Sequence, residues 1–175
     1  QGDFTTFPVV ENIHRNNILH ETIAPAAIAQ DVIEEAERIA RVIAEAVSLS
    51  GALGVEMFLT KTGGLYVNEL APRPHNSGHY SIEACSMSQF DAHIRGICGW
   101  PLGEKVRLTS NAVMVNVLGE QLLESYRLIE NKPDWQFHFY GKKQAKKGRK
   151  MGHITILTED IQQTLEEIKQ TNIWD

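Results

Sequence analysis

The sequence predicts an α+β protein in which helices pack on an antiparallel sheet, followed by a small β-rich C-terminal domain. Apolar residues recur at helical spacing between Ile28 and Val47, which indicates one long amphipathic helix. Extended runs flank the turn sequence Lys61-Thr62-Gly63-Gly64, a pattern typical of a hairpin. The Gly- and Pro-containing segment 99–103 precedes a second group of extended runs. We therefore place the domain division between residues 1–100 and 101–175.

The individual elements follow from local composition. Thr, Val and Ile favour strands at residues 4–10 and 18–23, and Pro25 ends the second of them. Asp31 and Glu34 resemble a capping box at the start of the long helix. Further strands are predicted at residues 52–59, 65–70, 111–118, 136–140 and 153–157. Helices are predicted at residues 80–85 and 89–98, a short helix or turn at 120–129, and a closing helix at 160–170.

Composition and charge narrow the class of protein. Apolar residues make up 42% and charged residues 22%, values typical of a globular protein. No apolar run approaches the roughly 18 residues that a membrane helix needs, and the N-terminal residues lack a secretory pattern, so we expect no membrane partner and a cytoplasmic location. The net charge of −5 argues against nucleic-acid binding. Six positive charges nevertheless lie within residues 142–150, which suits a small anionic ligand.

Two glutamates are expected to face each other across the hairpin. If its loop is centred between Thr62 and Gly63, Glu56 lies opposite Glu69, with Cβ atoms about 5 Å apart. Such a pair requires a shared proton or a cation between the carboxylates. Magnesium suits it, because this ion binds one or two carboxylates together with phosphate oxygens. The alternative is a surface hairpin with two solvated glutamates, since a register slip of one residue would separate them.

A polar loop follows the second of these strands. Arg73 stands between Pro72 and Pro74, which restrict the backbone on both sides of a guanidinium able to stabilise charge on a transferring phosphoryl group. His75, Asn76 and Ser77 add donors and acceptors beside it. The alternative is a proline-rich turn whose polar side chains satisfy only the backbone.

These motifs resemble a known family. The segment Asn68–His79 (NELAPRPHNSGH), with Glu56 before it, resembles the metal and substrate segment of the N5-carboxyaminoimidazole ribonucleotide synthase family, a branch of the ATP-grasp ligases. Residues 8–19, 114–119, 140–142 and 148–153 resemble further segments of that family in the same order. Ala71 replaces the asparagine of many ATP-grasp enzymes, a substitution typical of this branch. The resemblance implies the C-terminal half of an ATP-grasp domain joined to a small C-terminal domain.

The resemblance also implies an activity and a set of site residues. The family uses ATP, magnesium and bicarbonate to carboxylate 5-aminoimidazole ribonucleotide in purine biosynthesis, and its members are often homodimers. By this resemblance Glu56 and Glu69 hold magnesium on the ATP phosphates, and Arg73 is catalytic. The expected substrate-binding residues are His75, Asn76, Ser77, Lys142, Arg149 and Lys150.

Two other interpretations stay open at this point. The chain could belong to another ATP-grasp carboxylase or formyltransferase, or it could be a non-catalytic module whose basic loop binds a phosphorylated partner. The family's N-terminal α/β domain and nucleotide-binding lobe have no counterpart in this sequence. We therefore expect this chain alone to be inactive.

Overall fold

The computed structural model describes residues 3–103 and 105–174. The described residues form seven strands: β1 (Glu11–Arg15), β2 (Ile18–Ala24), β3 (Gly54–Leu59), β4 (Leu65–Ala71), β5 (Asn111–Leu118), β6 (Trp135–Phe139) and β7 (Lys150–Thr158). Five of them form one antiparallel sheet in the spatial order β1-β2-β5-β7-β6, and β3 pairs with β4 in a separate hairpin. The predicted hairpin around residues 61–64 and the α+β class are confirmed.

The described helices are α1 (Gln30–Ala46), α2 (Ser81–Ala84), α3 (Gln89–Cys98), α4 (Leu122–Leu128) and α5 (Ile161–Gln170), with a 3₁₀ turn at Asn76–Gly78. The predicted capping box of the long helix is wrong. Ala29 is the N-cap, no side chain caps the helix, and Asp31 lies inside the first turn. A capping box does begin α3, where the Ser88 hydroxyl and the Asp91 carboxylate each bind the other residue's backbone N–H.

Strand β5 is buried on both faces and organises the core. Because side chains alternate along a strand, Val113, Val115 and Val117 share one face, where they pack with Ile154 and residues of α5. The opposite face carries Ala112 and Met114, which pack with residues around α2. This second face also carries a polar residue, Asn116, which is 1% exposed.

The strand predicted at residues 4–10 is wrong, and the sheet begins with β1 instead. This segment makes only isolated backbone hydrogen bonds, from Ala26 N–H to the Val9 carbonyl at 2.9 Å and from Val106 N–H to the Thr6 carbonyl at 3.2 Å. Pro8 has no N–H to donate to a ladder. The Thr and Val residues of the segment favour an extended backbone, and the sequence pattern does not distinguish an extended backbone from a paired strand.

The sheet crosses the predicted domain division. Strand β2 pairs with β5 through four registered residues, from Glu21 opposite Val115 to Ala24 opposite Ala112. Backbone hydrogen bonds therefore join residues 1–100 to residues 101–175 within one sheet. The division of the chain into two domains at residue 100 stays a prediction. Among the helices of the described residues, none is both long enough and apolar enough to span a membrane.

Candidate active site

The hairpin places two carboxylates opposite each other. Glu56 on β3 pairs in register with Glu69 on β4, so the register prediction is confirmed. The turn, however, is not centred as expected, because Leu59 pairs with Leu65 and Met57 with Val67. A register shift between Glu56 and Met57 leaves Asn68 as an extra residue and restores the glutamate pair. An irregularity beside the pair is therefore what brings the two carboxylates together.

Glu56 lies in a partly enclosed environment. Its side chain is 13% exposed, with His14 Nε2 at 4.0 Å and His75 Nδ1 at 3.9 Å from Oε1. Both distances exceed those of hydrogen bonds, so these contacts leave the carboxylate oxygens available to other ligands. Burial is the main cause that lowers the pKa of His75, opposed by the charges of Glu56 and Glu69.

The loop of residues 71–79 brings His75 and Ser77 together. Ser77 Oγ lies 2.8 Å from His75 Nδ1, and the Ser77 N–H donates to the same nitrogen at 3.4 Å. Since Nδ1 accepts, we assign the proton of the neutral ring to Nε2. Arg73 is exposed, and its guanidinium donates to the Pro74 carbonyl at 3.0 Å.

Asn76 is directed toward the sheet. Its amide nitrogen donates to Asn116 Oδ1 at 2.9 Å, and Asn116 Nδ2 donates back to Asn76 Oδ1 at 2.7 Å. An asparagine amide offers two donors and two acceptor positions, so this pair uses half of that capacity. The predicted substrate role of Asn76 stays a prediction, with one donor and one acceptor position remaining for a ligand.

Lys150 joins the basic segment to the carboxylates. This first residue of β7 is partly buried, and burial is the largest cause that lowers the pKa of its ammonium group. The charges of Glu56 and Glu69 oppose that shift, whereas Arg73 and Lys142 add to it. Lys150 therefore lies within electrostatic range of the glutamate pair and of Arg73, which the sequence alone did not indicate.

The basic loop (residues 141–149) is far more exposed. Lys142 Nζ donates to the Lys150 carbonyl at 2.6 Å and lies 5.2 Å from the Tyr140 ring. Arg149 donates to the Gln144 carbonyl at 3.2 Å, a contact within the loop itself. At the base of the loop, the Gly148 N–H donates to a Glu120 carboxylate oxygen at 2.8 Å. The structure thus brings Lys142 beside Lys150, while Arg149 remains on the solvent side.

A row of polar side chains beneath the 71–79 loop escaped the sequence prediction. Asn116 on β5 pairs with His153 on β7, which pairs in turn with His138 on β6, so all three share one face of the sheet. The rings of His138 and His153 stack with centroids 4.4 Å apart, and His79 lies 4.8 Å from His153. A signal did exist: Asn116 interrupts an apolar strand, and a buried amide requires partners.

The imidazoles of His79 and His153 are neutral at neutral pH. Burial, with a smaller contribution from neighbouring charges, lowers the pKa of His79 to about 4 and that of His153 to about 3. Burial also raises the pKa of Tyr140 to about 12, and its hydroxyl lies 2.9 Å from His153 Nδ1. His79, His153 and Tyr140 therefore supply neutral hydrogen-bonding groups to the site and add no net charge to it.

The donor set suits magnesium bound to phosphates. Within residues 3–103 and 105–174 there is no cluster of three or more His, Cys, Asp or Glu side chains that could enclose a metal. Glu56 and Glu69 offer two carboxylates on adjacent strands, which matches an ion that takes its remaining ligands from phosphate and water. The metal role itself stays a prediction.

The comparisons with known proteins give the class of this chain. Residues 1–90 match the ATP-grasp domain family, and residues 112–167 match the phosphoribosylaminoimidazole carboxylase C-terminal domain. The chain belongs to the ATP-grasp family. Its resemblance to the N5-carboxyaminoimidazole ribonucleotide synthases is confirmed by curated relatives, among them the synthase of Bacillus subtilis, which is 47% identical over 99% of this chain.

Solved structures agree with that relationship. The N5-carboxyaminoimidazole synthetase from Staphylococcus aureus complexed with ADP is 46% identical and superposes with a TM-score of 0.89 over 95% of this chain and 44% of its own. The Aspergillus clavatus synthase, in complex with ADP and 5-aminoimidazole ribonucleotide, is 34% identical with a TM-score of 0.87 over 97% and 47%. This chain spans 45% of the Bacillus subtilis relative. It therefore covers somewhat less than half the length of each of these three relatives.

Proposed function

We propose that this chain forms the metal and acceptor part of an ATP-dependent ligase that carboxylates 5-aminoimidazole ribonucleotide with bicarbonate. The observation that supports this most is the pairing of Glu56 with Glu69 beside the 71–79 loop. The ligands of the solved relatives, ADP and 5-aminoimidazole ribonucleotide, match the two kinds of ligand that the site's charges would bind. Purine biosynthesis is the corresponding process.

In this proposal the two carboxylates hold magnesium on the ATP phosphates. The ion, when bound, neutralises charge on the phosphoryl group that is transferred. Arg73 would stabilise the same developing charge from the solvent side of the site, as a guanidinium donating to phosphoryl oxygens. Bicarbonate attack on the γ-phosphorus would break its bond to the β,γ-bridging oxygen, which gives carboxyphosphate and ADP before the carbon–nitrogen bond forms.

The 71–79 loop and Lys150 would bind the carboxyl group that is transferred. Neutral His75 has its Nε2 proton free to donate, while Ser77 offers a hydroxyl beside it. The Lys150 ammonium would attract bicarbonate and carboxyphosphate, because an ion pair with an anion offsets its partial burial. The amine of 5-aminoimidazole ribonucleotide would then attack the carboxyl carbon, releasing inorganic phosphate and forming the carbamate.

The basic loop would bind the ribonucleotide phosphate. Lys142 and Arg149 are both exposed, and Arg149 presents planar donors that match a phosphate monoester. The proposal also includes a homodimer for the longer protein and a cytoplasmic location. The homodimer comes from the family resemblance, and the cytoplasmic location comes from the sequence pattern.

Removing either carboxylate tests the proposal. The experiment uses the completed enzyme, defined as this chain joined to the part of the Bacillus subtilis relative that it does not match. Glu56→Gln and Glu69→Gln should each lower ADP release dependent on 5-aminoimidazole ribonucleotide by more than about 100-fold. Loss of a residue that only supports a metal ligand already costs about 10- to 100-fold. Steady-state assays with varied magnesium give the measurement.

Matched controls separate the alternatives. Glu45→Gln, an exposed carboxylate on α1, should leave ADP release unchanged, and the 175-residue chain alone should show none. Full turnover in both the Glu56 and Glu69 variants would refute the metal role. Stimulation by glycinamide ribonucleotide or biotin in place of 5-aminoimidazole ribonucleotide would assign a different ATP-grasp reaction. Binding of a phosphopeptide without any nucleotide turnover would favour the non-catalytic module.

A further inference from the structure

The conformation of the 71–79 loop depends on two buried amides that lie outside it. Gln89, at the start of α3, is 6% exposed, and Asn116, in the middle of β5, is 1% exposed. Buried polar side chains are costly unless their hydrogen-bonding groups find partners. Both side chains find those partners in residues 75–79, among the groups that the proposed function assigns to the substrates.

Gln89 binds the backbone of His75 in both directions. The His75 N–H donates to Gln89 Oε1 at 2.9 Å, and Gln89 Nε2 donates to the His75 carbonyl at 2.8 Å. The second hydrogen of Nε2 points to His79 Nδ1, also at 2.8 Å. One amide thus fixes the loop at two residues, four positions apart.

The position of Gln89 is itself fixed by its neighbours. Its backbone N–H donates to Ser81 Oγ at 2.9 Å, and that hydroxyl donates to the Gly78 carbonyl at 2.5 Å. The capping box of Ser88 and Asp91 sets the first turn of α3 directly beside it. A Cβ atom on Gly78 would lie 2.5 Å from Gln89 Oε1, so this glycine leaves the space that the amide occupies.

Asn116 holds the next residue of the loop from the sheet. Besides its reciprocal pair with Asn76, its Nδ2 donates to the Leu19 carbonyl at 2.8 Å. Both hydrogens of the Asn116 amide are therefore used, one on β2 and one on the loop. The Trp174 indole donates to the Asn116 backbone carbonyl at 2.8 Å, so the C-terminal segment contacts the same position.

We propose that Gln89 and Asn116 are positioning residues that hold His75 and Asn76 in the geometry needed to orient the carboxyl group and its acceptor. The proposal rests on the proposed function for the identity of the substrates, but not for the conformation of the loop. Neither residue touches the metal carboxylates in the described contacts. A displacement of about 1 Å at groups that orient a substrate lowers rates by roughly 100-fold, so indirect contacts of this kind are sufficient.

The first measurement concerns loop conformation and needs no activity. In the 175-residue chain, we expect Gln89→Met to speed hydrogen exchange of the His75 backbone N–H by at least about 10-fold, because its acceptor is removed. Gln136→Met, an exposed glutamine on β6, is the matched control and should leave that exchange unchanged. Equal exchange in wild type and Gln89→Met would overturn the proposal.

The second measurement uses the completed enzyme. Gln89→Met and Asn116→Ala should each lower kcat/KM for 5-aminoimidazole ribonucleotide by about 10- to 100-fold, while the KM for ATP changes by less than about twofold. Asn131→Ala, at an exposed asparagine, is the control for Asn116. If Asn116→Ala does not fold, Gln89→Met carries the test alone.

The outcomes separate the two proposals. A parallel loss for ATP and ribonucleotide would show that the amides only stabilise the fold, and would overturn the positioning role. If the unsubstituted completed enzyme does not carboxylate the ribonucleotide, the proposed function fails. The hydrogen-exchange result then still decides whether Gln89 fixes the loop. Selective loss for the ribonucleotide, together with faster exchange at His75, supports both proposals.

Discussion

The 71–79 loop and the basic loop both carry predicted substrate residues, yet they are supported in opposite ways. The 71–79 loop is bound by side chains from α3 and β5, and it covers the buried His153. Residues 141–147 are all exposed, and the side-chain contacts of their lysines reach little beyond the loop. The comparison suggests that the first loop is shaped before any ligand arrives, whereas the second depends on the charge of its ligand.

Acid sensitivity should be the largest effect, and it comes from His79 of the 71–79 loop and from His153, which packs against it. His79 and His153 have pKa values of about 4 and about 3, below the value of about 6.5 expected in an unfolded chain. Between those limits the unfolded chain binds more protons, so the free energy of unfolding falls as the pH is lowered. Each histidine should contribute about 1.4 kcal/mol per pH unit once the pH is well below 6.5 and still above its folded pKa.

Urea unfolding of the chain between pH 7 and pH 4.5 measures this slope. His153→Gln should flatten it, because one of the two groups no longer takes up a proton on unfolding. Asn131→Ala, at an exposed residue that does not titrate, serves as the control and should keep the slope of the unsubstituted chain. An unchanged slope in His153→Gln would mean that His153 does not contribute to the acid sensitivity, contrary to this prediction.

The basic loop should respond to charge. Arg149→Gln in the completed enzyme should raise the KM for 5-aminoimidazole ribonucleotide by roughly 10- to 100-fold, since a charge-assisted hydrogen bond contributes about 1.5–3 kcal/mol. The difference from the unsubstituted enzyme should shrink at high salt, because exposed charges are screened. Lys143→Gln, a neighbouring exposed lysine with no assigned role, should have a much smaller effect. Equal effects of the two substitutions would show that the loop acts only through its total charge.

The 71–79 loop should instead respond to packing. Gly78→Ala places a methyl group against the Gln89 amide, and overpacking of this kind costs about 1–3 kcal/mol of unfolding free energy. Gly103→Ala is the control, since a Cβ built there meets no described atom within 4 Å. Denaturant unfolding of both variants gives the comparison. A loss no larger in Gly78→Ala than in Gly103→Ala would mean that the loop adjusts freely, contrary to its proposed fixed shape.

Local patterns predicted the parts of the site that depend on neighbours in sequence. Alternation and turn composition gave the β3–β4 hairpin, and the opposed glutamates follow from it. Even there, the turn is centred half a residue away from the predicted position. Glu56 still pairs with Glu69 because Asn68 is an extra residue in β4 that compensates for this difference. Such bulges depend on the twist and packing of the hairpin, which a turn sequence alone does not specify.

Contacts between distant segments could not be predicted in the same way. The pairing of β2 with β5 joins residues about ninety positions apart, and the Asn76–Asn116 hydrogen bonds join residues 40 positions apart. Gln89 gave no signal, since a glutamine in the first turn of a helix is ordinarily solvated. The burial of Lys150 near the glutamates likewise depends on how β7 approaches the 71–79 loop. The sequence indicated which groups carry charge, but not which of them share an enclosed space.

The central position of β5 has a consequence for any division of the chain. The two matched sequence families, at residues 1–90 and 112–167, are joined within one sheet by the β2–β5 ladder. Separating the two units would expose an unpaired edge on β2 and on β5, and would remove the hydrogen bonds between the Asn76 and Asn116 amides. A polypeptide that ends at residue 100 is therefore expected to present the β2 edge to other chains.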